Sequence, residues 1–455
     1  MLWLPIDRDL DIPLTRQVYD QIRERILAGV LREGDRLPST RLLATEWGIS
    51  RNVIVEAYEW LEAEGYIYGR TGAGTFVAAG AYLGHGLQRE KTTVPPAAVE
   101  ADEIDFRPGI PDLGRFPRKV WTRLQREAIA DAPSALFGYH PSEGIRELRE
   151  ALCNYLNRTR GIICPPDQIL ITSGAAQAFH LLALLWRSEG TAVGLEEPGN
   201  SEIHAIFSSQ GVNVHPLTVD RDGLLTDHLE QENSARLIVT TPSHQYPLGG
   251  TLPIQRRIQL VQHARKRNAI LVEDDYDSEF RYDIRPLHSL YELAPERTVH
   301  IGSFSKVLSP ALRLGYMLLP PDWVKSVQRF KRLVDLHTSA LEQRVLAAFI
   351  RDGHLERHIR NSRKAYARKH RILLQALASS FPTADIFGGS AGLHIAVRFP
   401  VTVTFPEPSL RRHRVRMYPL PGDDNIWILG FGNVAEQDIA IGIDRLAQAA
   451  SPTSR

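Results

Sequence analysis

The sequence is poor in the features that mark several protein classes. Its 455 residues hold two cysteines, Cys153 and Cys164. Two thiols can close one bridge but cannot staple a small secreted framework, which fits a reducing compartment. Long apolar runs are missing too. The densest, Ala178 to Trp186, is nine residues and contains His180, against the ~18 that a membrane helix needs. The opening residues, MLWLPIDRDLDIP, carry acids where an export signal needs a basic start and an apolar core. The expectation is a cytoplasmic protein with no membrane partner. There is no excess of charge: 54 basic residues face 53 acidic ones, a formal net of +1. Bulk charge therefore gives no pointer to nucleic acid, and any such pointer must lie in local pattern. With 43% apolar and 24% charged residues, wholesale disorder and a fibrous repeat are excluded. At ~100–200 residues per domain, the length allows two to four domains, or one large domain with an appendage.

No internal repeat is present. Residues 78–104 hold three glycines, a Pro-Pro pair and scattered charge without a sustained period, and read as a linker. A short helix or a packed strand is the bland alternative. Residues 1–77 are too short for an enzyme and about right for a small module. Val18, Ile22 and Ile26 recur at helical spacing, and a second short helix spans Ser39 to Trp47. Gly48 ends it, and Ser50 can cap a third helix whose inner stripe is Ile54, Ala57, Tyr58 and Leu61. Two alternating runs around a turn from Gly69 to Gly74 then predict a β-hairpin.

Three helices and a hairpin make the layout of a winged helix-turn-helix. Ser50, Arg51 and Asn52 open the third helix away from its core stripe. Arginine and asparagine can make paired hydrogen bonds to guanine and adenine edges in the major groove. Arg41 and Arg70 stand where phosphates would be met. Against this, residues 1–80 hold nine arginines, no lysine and twelve acids. Affinity for double-stranded DNA would rest on a few focused arginines. A plain three-helix bundle for protein contact is the competing reading.

Residues 105–455 alternate short apolar runs with helical stretches, which predicts an α/β domain with a mainly parallel sheet covered on both faces. Ligands of such sheets sit beyond the carboxyl ends of the strands. Thr172-Ser173-Gly174-Ala175 opens a helix there, and its backbone amides could hold a phosphate. Glu273, Asp274, Asp275 and Asp277 crowd another strand end and call for a cation, whether a metal or a protonated ring nitrogen; a solvated acidic loop is the alternative. Lys306 lies among small and apolar residues, with Arg313 seven positions on. Such a lysine can serve as a nucleophilic amine. Pyridoxal phosphate needs this whole set of groups.

The first segment resembles the GntR-type winged helix, through G-x-x-L-P-S-x-R-x-L-A, G-x-S-R-N, L-x-x-E-G-Y and G-x-G-T-F-V. The resemblance implies DNA contact at Arg41, Arg51 and the wing at Gly72; Val55 stands where some members have an arginine. Residues 105–445 resemble the aspartate aminotransferase superfamily of fold type I, through Pro108-Gly109-x-Pro111-Asp112, S-H-Q-Y-P-L-G, E-D-D-Y-D-S-E-F and S-F-S-K. The pairing is similar to the MocR/GabR-type regulators. It implies Lys306 as the aldimine lysine and Asp274 as partner of the pyridine nitrogen. Tyr276 would bond the ring hydroxyl. Arg313, Gly174 and Ala175 would bind the phosphate, with Ser303 and Ser305 as further candidates. Tyr139 would reach the phosphate of the other subunit of a homodimer. Three departures stand out. The loop His244–Gly249, where aminotransferases commonly place an asparagine, has Tyr246 next to Pro247, and Asn200, with Glu202 nearby, stands where related regulators often have a tyrosine. The strand Ile426 to Phe431 lacks the arginine that often holds a substrate carboxylate.

The resulting expectation is a transcription regulator. Its head would bind promoter DNA, and its body would hold pyridoxal phosphate and sense an amine, an amino acid or the vitamin itself. A catalytically active aminotransferase with an auxiliary head is the main rival. No metal is expected.

Overall fold

The computed structural model describes residues 6–452 apart from 8–11, 82–101, 131, 188–189, 191, 228, 230–234 and 283–287. The chain divides into two compact units, Met1–Ala98 and Val99–Arg455. Most of the segment read as a linker lies outside the described residues. Its last residue, Ile104, is already in a strand.

In the first unit, helices α1 (Leu14–Leu27), α2 (Thr40–Trp47) and α3 (Arg51–Ala63) precede strands β1 (Ile67–Arg70) and β2 (Gly74–Val77). Val18, Ile22 and Ile26 from α1 meet Ile54, Ala57 and Leu61 from α3 in one buried cluster. Gly48 closes α2 at φ 63°, a left-handed conformation that glycine adopts without a Cβ penalty. The Ser50 hydroxyl accepts from Asn52 N at 3.3 Å, so α3 begins with a side-chain cap. The hairpin turn is tighter than the sequence suggests. Arg70 pairs with Gly74, which leaves Thr71, Gly72 and Ala73 to reverse the chain. Positive φ at Gly72 and Gly74 makes the short reversal possible.

The second unit is built on an eight-stranded sheet. Its strands are β4 (Ile169–Thr172), β5 (Val193–Glu197), β6 (Val214–Asp220), β7 (Gly223–Leu224), β8 (Leu237–Thr240), β9 (Ile270–Asp275), β10 (Thr298–Ser303) and β11 (Gly315–Leu318), preceded in the chain by β3 (Ile104–Asp105). The order is β4-β11-β10-β9-β8-β5-β6-β7. The run β10-β9-β8-β5-β6 is parallel, while β11 is antiparallel to both β4 and β10. Alternation in β4 shows both faces covered. Ile169 and Ile171 join a cluster with α4 (Arg118–Ala130) and α5 (Arg146–Arg160). Leu170 points the other way, into a cluster with α6 (Ala175–Trp186) and α7 (Ser201–Ser209). A smaller antiparallel sheet joins Asp385–Phe387, His394–Arg398, Asp423–Gly430 and Tyr418–Leu420. Strand β3 pairs with Val415–Arg416. Among the described residues, no helix is long and apolar enough to cross a membrane.

Candidate cofactor site and DNA-facing surface

Strands β4, β5, β8, β9 and β10 bring their carboxyl ends to one edge of the sheet, and a cavity of about 390 Å³ opens there. Glu196, Thr240, Asp274, Ser303, Lys306 and Arg313 are among its walls.

The crowded acids resolve into separate partnerships, and β9 runs through three of them instead of stopping before them. Glu273 lies 3.2 Å from His300 Nδ1 and also accepts from the Ser289 hydroxyl. Burial alone would raise its pKa, but His300 and Ser289 hold it at about 2. Asp275 accepts from Arg160 Nη2 at 2.7 Å, both side chains being buried. Asp277 faces His244 Nδ1 at 3.0 Å. Asp274 alone is left over. Its Oδ1 is buried with no hydrogen-bond partner, and burial, then the neighbouring Asp275 charge, pushes its pKa up to about 7. Alternation along the strand explains the division: Glu273 and Asp275 turn to one face, and Asp274 turns to the cavity.

Lys306 lies just past β10. Its Nζ donates to Gly109 O at 2.6 Å. Burial lowers its pKa, against the pull of Asp277, Asp274 and Glu202. At the other end of the cavity, Arg313 has φ 50° and its Nη2 donates to Ser173 O at 2.6 Å. Gly174, at φ 86°, leads into α6; a Cβ there would come within 3.0 Å of the Arg313 guanidinium. This bare turn, the helix start and the arginine form a cradle suited to an anion. Ala175, Ser303 and Ser305 line the same cavity, and Ser305 N donates to Ser303 Oγ at 3.2 Å. The residues present thus match both ends of pyridoxal phosphate. A buried carboxylate lacks a cationic partner, and an anion cradle lies across from it.

Tyr276 lines the cavity, but its hydroxyl donates to His244 O at 2.9 Å. Tyr139 does not line the cavity of its own chain; it is 86% exposed, with its ring edge-on to His337. Other wall residues were not singled out from the sequence. His394 faces Tyr246 with ring centroids 5.3 Å apart, and burial, then His244, lowers its pKa to about 4. The buried Glu196 carboxylate accepts from Thr240 and Thr241. A charged or imidazole side chain inside an apolar strand run, as at Glu196 and His394, was the available signal. His244, Asp277 and His394 bring ligand-type atoms within 4.8 Å of one another. Asp277 is bonded to His244, and His394 Nε2 lies 3.1 Å from Pro247 O.

In the first unit, Arg41, Ser50, Arg51, Asn52, Arg70 and Gly72 are all exposed. Arg51 Nε lies 3.4 Å from the Thr40 hydroxyl, which links the start of α3 to the start of α2. Arg70 is held over the rings of Tyr68 and Phe76. Val55 is partly buried.

Comparison with known proteins fits both units. Residues 14–77 match the family described as bacterial regulatory proteins, gntR family, and residues 102–402 match aminotransferase class I and II. The chain is 35% identical over 415 residues to the probable rhizopine catabolism regulatory protein MocR of Rhizobium meliloti, covering 87% of this chain and 84% of that one. It is 32% identical to the pyridoxine biosynthesis transcriptional regulator PdxR of Corynebacterium glutamicum, covering 96% and 95%. A Pyrococcus horikoshii kynurenine aminotransferase solved with PMP superposes with TM-score 0.71 at 27% identity, over 77% of this chain and 91% of that one. Thermus thermophilus LysN, complexed with N-(5'-phosphopyridoxyl)-L-leucine, gives 0.70 at 26% identity, over 77% and 95%. Head and body together place this chain in the family of MocR/GabR-type transcription regulators, which join a GntR winged helix to an aminotransferase-like domain of fold type I.

Proposed function

We propose that this regulator binds pyridoxal phosphate and senses a small amine, an amino acid or the vitamin itself at Lys306. Residues 1–77 form the DNA-reading head, 78–104 the linker and 105–455 the sensing body. The protein works in the cytoplasm as a homodimer, and its two heads meet two half-sites of a promoter. The observation that carries the reading is the unpartnered buried Asp274 carboxylate, which shares one cavity with Lys306 and the Gly174–Arg313 cradle.

When bound, pyridoxal phosphate supplies an aldehyde that captures primary amines and a ring that withdraws electrons. The protein's own groups divide the remaining work. Arg313 and the amides at Gly174 and Ala175 hold the phosphate. Asp274 keeps a proton on the pyridine nitrogen, which also settles its own charge. Ser303 and Ser305 would help to hold the phosphate, and Tyr276 would bond the ring hydroxyl. Burial lowers the pKa of Lys306, so more of its amine is uncharged and ready to react. An amine that binds one dimer arrangement better than another shifts the heads on DNA only by that difference in affinity. The pyridoxine and rhizopine roles in the names of the two relatives support a sensing body.

The test is the absorption spectrum of the purified, reconstituted protein before and after borohydride, followed by peptide mapping. The expected result is a visible band that disappears on reduction, with the label on Lys306. A colourless protein, or a label elsewhere, overturns the reading. The rival is a working aminotransferase. It is favoured by a 27% identical relative, the 2-aminoadipate transaminase of Thermus thermophilus, which matches 76% of this chain and 89% of its own length. Steady turnover with a keto-acid acceptor would support it.

A further inference from the structure

We propose that the cavity takes a basic amine with a second cationic group and no carboxylate, and that Glu202 selects it. This rests on the cofactor reading above and narrows its effector to a chemical class. The argument begins with charge accounting on the walls. Among the described residues, the only lysine or arginine side chains lining the cavity are Lys306 and Arg313. Arg313 is turned to Ser173 O at the phosphate end, and Lys306 is the reactive amine. His394 is the remaining basic group on the wall, and its pKa of about 4 leaves it neutral near physiological pH. A ligand carboxylate would find no cation here, and burying it unpaired is costly.

The acids tell the opposite story. Glu196 is engaged by Thr240, Thr241 and Gln245. Asp277 faces His244, and Asp274 is matched to the ring nitrogen. Glu202 has none of these commitments. It stands in the first turn of α7, where the Asn200 side chain caps the helix by accepting from Glu202 N at 2.9 Å. Its charge is felt at both Lys306 and Tyr246 and favours the protonated form of each. Glu202 lines the same cavity as Lys306 and is exposed, so its carboxylate is open to the far end of a short amine whose near end lies at Lys306. Tyr246 and His394 line the same cavity, where aromatic rings can meet an alkyl chain or an ammonium group.

The test titrates reconstituted full-length protein with putrescine, butylamine and the ω-amino acid of the same chain length. The visible band and the affinity for operator DNA are both followed. Putrescine should half-saturate at a concentration about fivefold below butylamine, the scale of one partly solvated ion pair, and the amino acid should be the weakest. Glu202→Gln should remove the advantage of putrescine over butylamine. An amino acid that binds best overturns the inference alone, as does a putrescine preference that survives Glu202→Gln. A band that no amine shifts also overturns the inference alone and favours the vitamin itself as the signal, whereas a protein with no band overturns the cofactor reading, and the inference with it.

Discussion

Asp274 is a carboxylate in a place that does not favour its charge. In the cofactor-free protein its pKa is about 7, against about 3.9 in an unfolded chain. The folded state therefore keeps this proton over a pH range in which the unfolded chain has released it. Stability falls as pH rises from about 4 to about 7, by on the order of 4 kcal/mol from this residue. Glu273 acts with the opposite sign. Its folded pKa of about 2 gives stability that is present above about pH 4.3 and lost as the pH falls towards 2. Thermal unfolding of the cofactor-free protein between pH 5 and 7 checks the first effect. Asp274→Asn should flatten that decline, and pyridoxal phosphate should flatten it in the wild type. An unchanged decline in the variant would mean that Asp274 does not titrate there.

At the level of elements, α3 carries the sharpest expectation. Arg51 is exposed at a helix start that Ser50 caps. Arg51→Ala should weaken operator binding by ~1–3 kcal/mol and relax preference at one base position. Binding assays on matched and mismatched operators check this; uniform weakening would instead mark a phosphate contact. The same scale shows what the sequence made legible. The first and third helices of the head were readable because their two apolar stripes fill one small core, to which α2 adds Leu43. Parallel strands were readable as apolar runs. Strand β11 was not: it begins two residues after Arg313, and its inclusion depends on β4 and β10 offering edges on either side. In the site, Lys306 and Arg313 were legible from their spacing and setting. The acidic string pointed to a cation, but which acid needed one depended on His300, Arg160 and His244, all distant in sequence. Glu202 was noticed only as a neighbour of Asn200, and its lack of commitments appears once the other acids are paired.

For the whole molecule, the open question about Tyr139 is which cavity it serves. It is exposed in its own chain, as expected if it completes the site of a second copy. Mixing two variants tests this. In a hybrid of Tyr139→Ala and Lys306→Ala subunits, one cavity has both its lysine and an intact Tyr139 from across the dimer. Cofactor affinity in that cavity should return to the wild-type value, whereas the Tyr139→Ala homodimer stays weaker. No recovery would confine Tyr139 to its own subunit. The bond from Lys306 to Gly109 has a further consequence at this scale. Gly109 belongs to the first stretch of body after the linker, which is stitched to strand Asp423–Gly430 where Gly430 N donates to Phe106 O at 2.8 Å. Lys306 Nζ thus helps to tie down the body's first stretch. An aldehyde bonded to that nitrogen would compete with the carbonyl of Gly109 for it, so loading the cofactor would cost this stretch one of its ties.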